Sequence, residues 1–131
     1  MKIRACCVAL MIGLAFQAGA HAQETLLTAH VAADGTLLQQ SPQWISSVEL
    51  QAQPNYFNQY KILLKPSAMP GNPRFCVASP IDASSYDRQL HGQAKVIGTP
   101  RASHVTVMTQ LLDMPGASGD NALEFMLMCS R

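Results

Sequence analysis

The sequence carries little charge and few aromatic residues. Charged residues make up 13% of the 131 residues and aromatic residues 6%, and the formal net charge is +1. It contains no run or stripe of lysine and arginine that would neutralise a nucleic-acid backbone or an anionic lipid surface. Nucleic acid is therefore not an expected partner.

Long apolar runs are missing beyond the N-terminal segment. Lys2 and Arg4 precede an uncharged stretch from Ala5 to Phe16, and small residues follow as far as Ala22. This order is typical of a secretory signal peptide, and the apolar stretch is shorter than the roughly 20 residues that a bilayer requires. Cleavage after Ala20 or, as we prefer, after Ala22 fits the small-residue pattern.

The chain is accordingly predicted to divide into a signal peptide, residues 1–22, and one domain, residues 23–131. Without Lys2 and Arg4 the chain keeps seven basic and eight acidic residues, so its net charge becomes −1. We expect a periplasmic or extracellular protein with no transmembrane segment, whose oligomeric state the sequence leaves open.

Cysteines are few, and no Cys-x-x-Cys motif is present. Cys6 and Cys7 lie in the predicted signal, which leaves Cys76 and Cys129 in the exported part. An oxidising compartment favours a disulfide between them, which would stabilise the fold by about 4 kcal/mol in a loop-entropy model. The alternatives are two unpaired buried thiols or, less expected without that motif, a redox pair.

Apolar residues with helical spacing are not sustained after the signal, whereas alternation with a period of two recurs. It predicts strands over Trp44–Leu50, Tyr60–Leu64, Ser103–Leu111 and Ala122–Ser130. The first would place Trp44, Ser46, Val48 and Leu50 on one face. The last would be central, with Met126 and Met128 covered on the face opposite Phe125.

Weaker strand patterns occur at residues 25–31, 36–40, 75–79 and 93–99, and a short helical turn is expected within residues 82–90. Glycine, proline and asparagine mark the turns between them. Together these features predict an all-β fold, a small antiparallel β-sandwich or partly open barrel of about 7–8 short strands with one disulfide.

The order of these features resembles a family of small exported bacterial β domains, some of which are carried on phage-tail or surface-fibre proteins. The matching segments cover nearly all of the exported part: Asp34-Gly35-Thr36-Leu37, Trp44-Ile45-Ser46-Ser47, the strand around Tyr60, Phe75-Cys76-Val77-Ala78, Gly98-Thr99-Pro100, Val105-Thr106-Val107-x-Thr109 and Asp120-x-x-Leu123-x-Phe125-x-Leu127-x-Cys129. The resemblance implies an antiparallel sandwich whose cysteines join an inner strand to the last one, and it implies no enzyme activity. The sequence departs from the family pattern at residues 55–59 and 67–72, which are longer and richer in proline.

Motifs of catalysis are also missing. The chain has no Gly-x-Ser-x-Gly elbow, so a hydrolase would need an unrecognised site. Asp82 and Asp87 are close enough in sequence to form a carboxylate pair, but their spacing does not match a calcium loop, and a solvated loop is the expected role. No catalytic residue and no cofactor is predicted.

A soft metal is the main alternative ligand. Met126 and Met128 would project two thioethers from one strand face, and His104 is a candidate imidazole partner for Cu(I). Methionine is also a common filler of apolar gaps, so packing is the expected role of these residues and no metal site is predicted.

Tyr56 and Phe57 indicate a contact surface. They are adjacent, so an extended chain would point them to opposite sides and one sheet would not bury both. Exposed aromatic rings at the rim of a sandwich stack on sugars or anchor a protein partner. We therefore expect an exported, non-enzymatic interaction or structural domain that presents loops to a macromolecular partner, with periplasmic copper binding and hydrolysis as alternatives.

Overall fold

The computed structural model describes residues 26–54, 56–81, 92–112 and 121–131, and within these ranges the fold is all-β, with eight strands in two antiparallel sheets. The strands are β1 (Leu26–Val31), β2 (Leu37–Ser41), β3 (Ile45–Gln53), β4 (Phe57–Leu64), β5 (Phe75–Pro80), β6 (Gly92–Ile97), β7 (His104–Leu111) and β8 (Phe125–Ser130). The predicted signal peptide and the predicted helical turn lie outside the described residues. The predicted sandwich and its strand number are confirmed.

Each sheet combines strands from both halves of the chain. The first sheet has the order β2-β1-β8-β5, and the second has the order β3-β4-β7-β6. The edge strands β5 and β6 lie next to each other along one side of the sandwich. This arrangement places β8 between β1 and β5, in the middle of the first sheet.

The core is formed by the inward positions of the alternating strands. Tyr60 and Ile62 of β4, and Val105 and Val107 of β7, are fully buried, as their alternation predicts. From the first sheet, Leu27, Val31, Phe125, Leu127 and Cys129 face them. Burying each large apolar side chain stabilises the fold by about 1.5–3 kcal/mol, so this shared core holds the two sheets together.

The start of β3 differs from the sequence prediction. Trp44 precedes the strand, and a bulge between Ile45 and Ser47 places Ile45 opposite Leu64. Ile45 is therefore buried, whereas Ser46 is exposed and donates a hydrogen bond to a backbone carbonyl of β4. An extra residue reverses the alternation locally, which uninterrupted period-two counting misses.

Trp44 is fully buried, and hydrogen bonds also hold it in place. Its indole Nε1 donates to the carbonyl of Thr28 at 2.8 Å. The side-chain Oε1 of Gln40 accepts hydrogen bonds from the backbone N–H groups of Trp44 and Ile45 at 2.9 and 2.8 Å. These bonds satisfy the backbone where the chain passes from the first sheet to the second, after a cis peptide bond between Ser41 and Pro42.

β8 is central, as predicted, but only one of its faces is covered. Phe125, Leu127 and Cys129 are buried in the core, while Met126 on the opposite face is half exposed. The prediction that both faces are covered is therefore wrong. Met126 is 50% exposed, so it does not fill the core.

The disulfide is present between Cys76 and Cys129, with an S–S distance of 2.02 Å and a Cα–Cα distance of 4.1 Å. The two cysteines are opposite each other on neighbouring strands β5 and β8. The bond is therefore a cross-strand disulfide within one sheet. Cys76 lies on an edge strand and not on the inner strand that the family resemblance implies. It ties this edge to the core through the fully buried Cys129.

The turn between β1 and β2 is built from Asp34 and Gly35. Oδ1 of Asp34 accepts a hydrogen bond from the backbone N–H of Thr36 at 2.9 Å, and this bond lowers the pKa of the exposed Asp34 carboxyl. Gly35 has a φ of +88°, a left-handed conformation that side-chain-bearing residues rarely adopt. The turn closes over β3, where a Cβ at residue 35 would contact Leu50 at 3.5 Å.

Replacing both Cys76 and Cys129 by Ser should lower the free energy of unfolding by about 2–5 kcal/mol, because the unfolded chain gains the freedom of an open loop. Urea denaturation followed by tryptophan fluorescence measures this loss. A loss below about 1 kcal/mol would show that the sheet ladder alone holds β5 in place.

Replacing Gly35 by Ala should destabilise the protein by about 1–2 kcal/mol, because alanine is strained at a positive φ. Gly71→Ala is the matched control, since a Cβ there meets no atom within 4 Å. Equal unfolding midpoints for the two variants would contradict the role assigned to the Gly35 turn.

Candidate functional site

The outward faces of the two sheets differ in chemistry. The inward side chains of both sheets form the core, so the outward side chains that alternate with them are the ones on the sheet faces that a ligand can reach. The outer face of the second sheet carries amide side chains beside two aromatic rings, and the outer face of the first sheet carries an apolar groove. These are the two candidate sites.

The first candidate is an amide face that all four strands of the second sheet build. Gln51 of β3 is opposite Gln59 of β4, and Gln93 of β6 is opposite Gln110 of β7. Tyr60 and Thr109, which adjoin Gln59 and Gln110 in the chain, are buried, so Gln59 and Gln110 point outward. Gln51 and Gln93 are hydrogen-bonded to them on the same face. We define the amide face as these four residues together with Gln53, Tyr56 and Phe57 at its end.

Hydrogen bonds order the amide face. Nε2 of Gln59 donates to Oε1 of Gln51 at 3.3 Å, and Nε2 of Gln93 donates to Oε1 of Gln110 at 2.9 Å. Nε2 of Gln110 in turn donates to the carbonyl of Tyr56 at 2.9 Å. Each amide has two N–H donors and an oxygen with two lone pairs, so these contacts leave hydrogen-bonding positions available to a ligand.

Tyr56 and Phe57 lie at the tip of the β3–β4 hairpin. Tyr56 is 65% exposed and Phe57 is partly exposed, and their ring centroids are 5.0 Å apart at a tilt of 52°. Tyr56 belongs to the turn, and only Phe57 belongs to the strand, so the rings touch instead of pointing to opposite sides. Neither ring is fully buried, but the two rings are not on opposite sides as the sequence prediction assumed.

The second candidate is an open groove of about 460 Å³ on the outer face of the first sheet. All four strands contribute to it, and the residues that matter below are Thr28, His30, Val77, Ser79, Met126 and Met128. Val77 and Met126 are each about half exposed. We refer to this feature as the outer groove.

A partly buried polar pair lies at the end of the outer groove. Nε2 of His30 is 2.5 Å from Oε1 of Glu124, and the two side chains are 20% and 12% exposed. In the neutral imidazole, a hydrogen bond from Nε2–H to a carboxylate leaves Nδ1 with the free lone pair. Glu124 thereby selects the tautomer of His30.

The structure separates the candidate metal ligands that the sequence suggests. Met126 and Met128 lie together in the outer groove, but His104 lies on the outer face of the second sheet, opposite Leu63. The sandwich core separates the two sites. The imidazole near the methionines is instead that of His30, directly opposite Met126 in the β1–β8 pair.

Nδ1 of His104 is 2.9 Å from Oγ of Ser103. A serine nucleophile of the hydrolase type needs a carboxylate behind its histidine. No hydrogen bond or ion pair joins His104 to a carboxylate in the described part of the chain. Asp82 and Asp87, the carboxylate pair considered from the sequence, lie outside the described residues.

Two features of these sites escape sequence reasoning. The glutamines come from four strands, and only Gln51 and Gln53, spaced by two residues, carry a local signal. His30 and Glu124 are 94 residues apart, so no local pattern links them. Both sites depend on which strands become neighbours.

Comparison with protein-family models, with curated proteins and with solved structures finds no match for this chain. The resemblance to exported bacterial β domains, drawn from the motifs above, therefore stays a prediction. The function is inferred from the geometry of the two candidate sites.

Proposed function

We infer that this chain is an exported, non-enzymatic binding module whose amide face holds a polysaccharide. The observation that carries this inference is the placement of four glutamines from four strands beside Tyr56 and Phe57 on one sheet face. The proposal identifies the macromolecular partner as a hydroxyl-rich polymer and its contact surface as the hairpin tip together with the adjoining sheet.

Two features, the N-terminal pattern and the disulfide, support export. The first 22 residues have the charge and hydropathy pattern of a secretory signal. The disulfide between Cys76 and Cys129 is a bond that persists in oxidising compartments. No helix in the described ranges is long and apolar enough to cross a membrane.

The amide face suits hydroxyl groups. A sugar ring carries several O–H groups that both donate and accept, and primary amides offer both functions in a plane. The Gln51–Gln59 and Gln93–Gln110 contacts already hold the amides in position, so binding loses less side-chain entropy than it would with four independent side chains. A sheet face also presents these groups on a broad surface, which suits a chain more than a small molecule.

The aromatic pair supplies the apolar part of the contact. The exposed ring of Tyr56 offers a flat surface to the C–H groups of a sugar, and the neighbouring Phe57 supports it. Apart from the phenol of Tyr56, the amide face consists of glutamine and phenylalanine side chains, which are uncharged and do not act as general acids, bases or nucleophiles, so the arrangement favours binding over catalysis.

Polysaccharide binding is tested with the purified exported protein in native gels that contain dextran, mannan or hydroxyethylcellulose, and by sedimentation with chitin and bacterial sacculi. We expect retention by at least one polymer. Tyr56→Ser should weaken it about two- to tenfold, because an aromatic contact contributes about 0.5–1.5 kcal/mol. Phe57→Ser should weaken it as well, and Gln110→Ala should do so by removing the hydrogen bond to Tyr56.

The matched control is Val77→Ser, which removes an exposed apolar side chain from the outer face of the other sheet. It should leave retention unchanged, and unfolding midpoints should show that each variant is folded. The proposal would be overturned if both Tyr56→Ser and Gln110→Ala were retained as strongly as the wild type. It would also be overturned if no polymer retained the wild-type protein. Capture of a protein that depends on Tyr56 while no polymer is retained would also overturn the choice of a polysaccharide.

A further inference from the structure

The outer groove has a chemistry that the amide face lacks. Its base carries two thioethers, those of Met126 and Met128, which alternate outward along β8. His30 is directly opposite Met126, and side chains of directly opposed residues in an antiparallel pair are in contact range. Two soft sulfur atoms and one imidazole therefore share one concave surface.

The exposure of Met126 argues against a purely structural role. It is half exposed and lines the outer groove, so its side chain is not needed to fill the core. Met128 is partly buried beside it, between Thr28 and Val77 of the neighbouring strands. A flexible thioether at an exposed position stays free to move onto a ligand.

Glu124 prepares His30 as a ligand. Metal-binding histidines commonly donate the N–H of one ring nitrogen to a carboxylate while the other nitrogen holds the metal. The contact from Nε2 of His30 to Oε1 of Glu124 has this form, and it leaves Nδ1 as the donor atom. Glu124 directly precedes β8 and is two residues before Met126, so one short segment supplies both the sulfur and the carboxylate.

We propose that the outer groove binds one Cu(I) ion through Sδ of Met126, Sδ of Met128 and Nδ1 of His30, with Glu124 as a positioning residue. Thioether and imidazole ligands are neutral and soft, and this set suits Cu(I) better than hard divalent cations. In the described residues no three His, Cys, Asp or Glu side chains group together, so the site is not of the zinc or calcium type.

This site is independent of the proposed polysaccharide surface, because it lies on the opposite outer face of the sandwich. It also differs from the set of Met126, Met128 and His104 that the sequence alone suggests. The pairing of β1 with β8 places His30 opposite Met126, whereas His104 pairs with Leu63 in the other sheet. His30 is therefore the imidazole ligand of the proposed site.

Cu(I) binding is measured by competition with a chromophoric Cu(I) chelator under argon, using the full chain with its disulfide intact. Every sample also carries Cys6→Ser and Cys7→Ser, so that thiolates of the N-terminal segment do not bind the metal. We expect one Cu(I) per chain. Met126→Leu, Met128→Leu and His30→Ala should each weaken binding at least about tenfold, and Glu124→Gln about 10- to 100-fold, as outer-shell partners do.

His104→Ala is the matched control, and it should leave the affinity unchanged. Leucine conserves most of the volume of methionine, so the Met→Leu variants should keep the wild-type unfolding midpoint. An affinity that survives Met126→Leu and Met128→Leu together would overturn the site. The same conclusion would follow if His104→Ala weakened binding as much as His30→Ala.

Two spectroscopic measurements separate ligation from a structural effect. X-ray absorption should show two sulfur neighbours and one nitrogen neighbour, with one sulfur lost in each methionine variant. Nitrogen NMR should place the proton of His30 on Nε2 and the metal-induced shift on Nδ1. A shift on Nε2, or a coordination shell without sulfur, would overturn the assignment.

Discussion

The contact between Tyr60 and Phe125 is the interaction on which the two-sheet arrangement depends. Tyr60 belongs to the second sheet and Phe125 to the first, and their rings meet edge to face with centroids 4.9 Å apart. Oη of Tyr60 also donates to the carbonyl of Ala33 at 2.6 Å, which ties the β1–β2 turn to the opposite sheet. Both rings are fully buried, so this contact aligns the sheets and satisfies the phenol.

The alignment of the sheets decides which surfaces remain for function. Successive side chains of a strand point to opposite faces. Because Tyr60 and Phe125 point into the core, the residues next to them in each strand point to the outer face. The second sheet then presents glutamines, and the first presents methionines with His30. One fold therefore carries a hydrogen-bonding surface on one side and a soft, apolar surface on the other.

The disulfide contributes to the second of these surfaces. Cys129 is inward on β8, and it fixes β5 alongside through Cys76. Val77 and Ser79 of β5 are thereby held opposite Met128 and Met126, where they form a wall of the outer groove. The disulfide lies on the core side of the sheet, but it stabilises the outer groove because it holds β5, which forms one wall of that groove.

Most strands follow from local alternation, because the burial of one face needs a period of two. The inward sets of β4, β7 and β8 agree with this pattern. The predicted disulfide between Cys76 and Cys129 is also present. The prediction fails at Ser46, where a bulge interrupts the alternation, and at Met126, where the alternation holds but the outer face of a central strand is uncovered. The spacing of apolar residues reveals neither the bulge nor the uncovered face.

By itself the sequence determined which residues alternate, where the chain turns and which cysteines are able to pair, since these are properties of neighbouring residues or of composition. Only the tertiary structure decided that Gln51, Gln59, Gln93 and Gln110 share one face, and that His30 rather than His104 adjoins Met126. Those neighbours belong to different strands, and strand order and register arise from the packing of two sheets around one core.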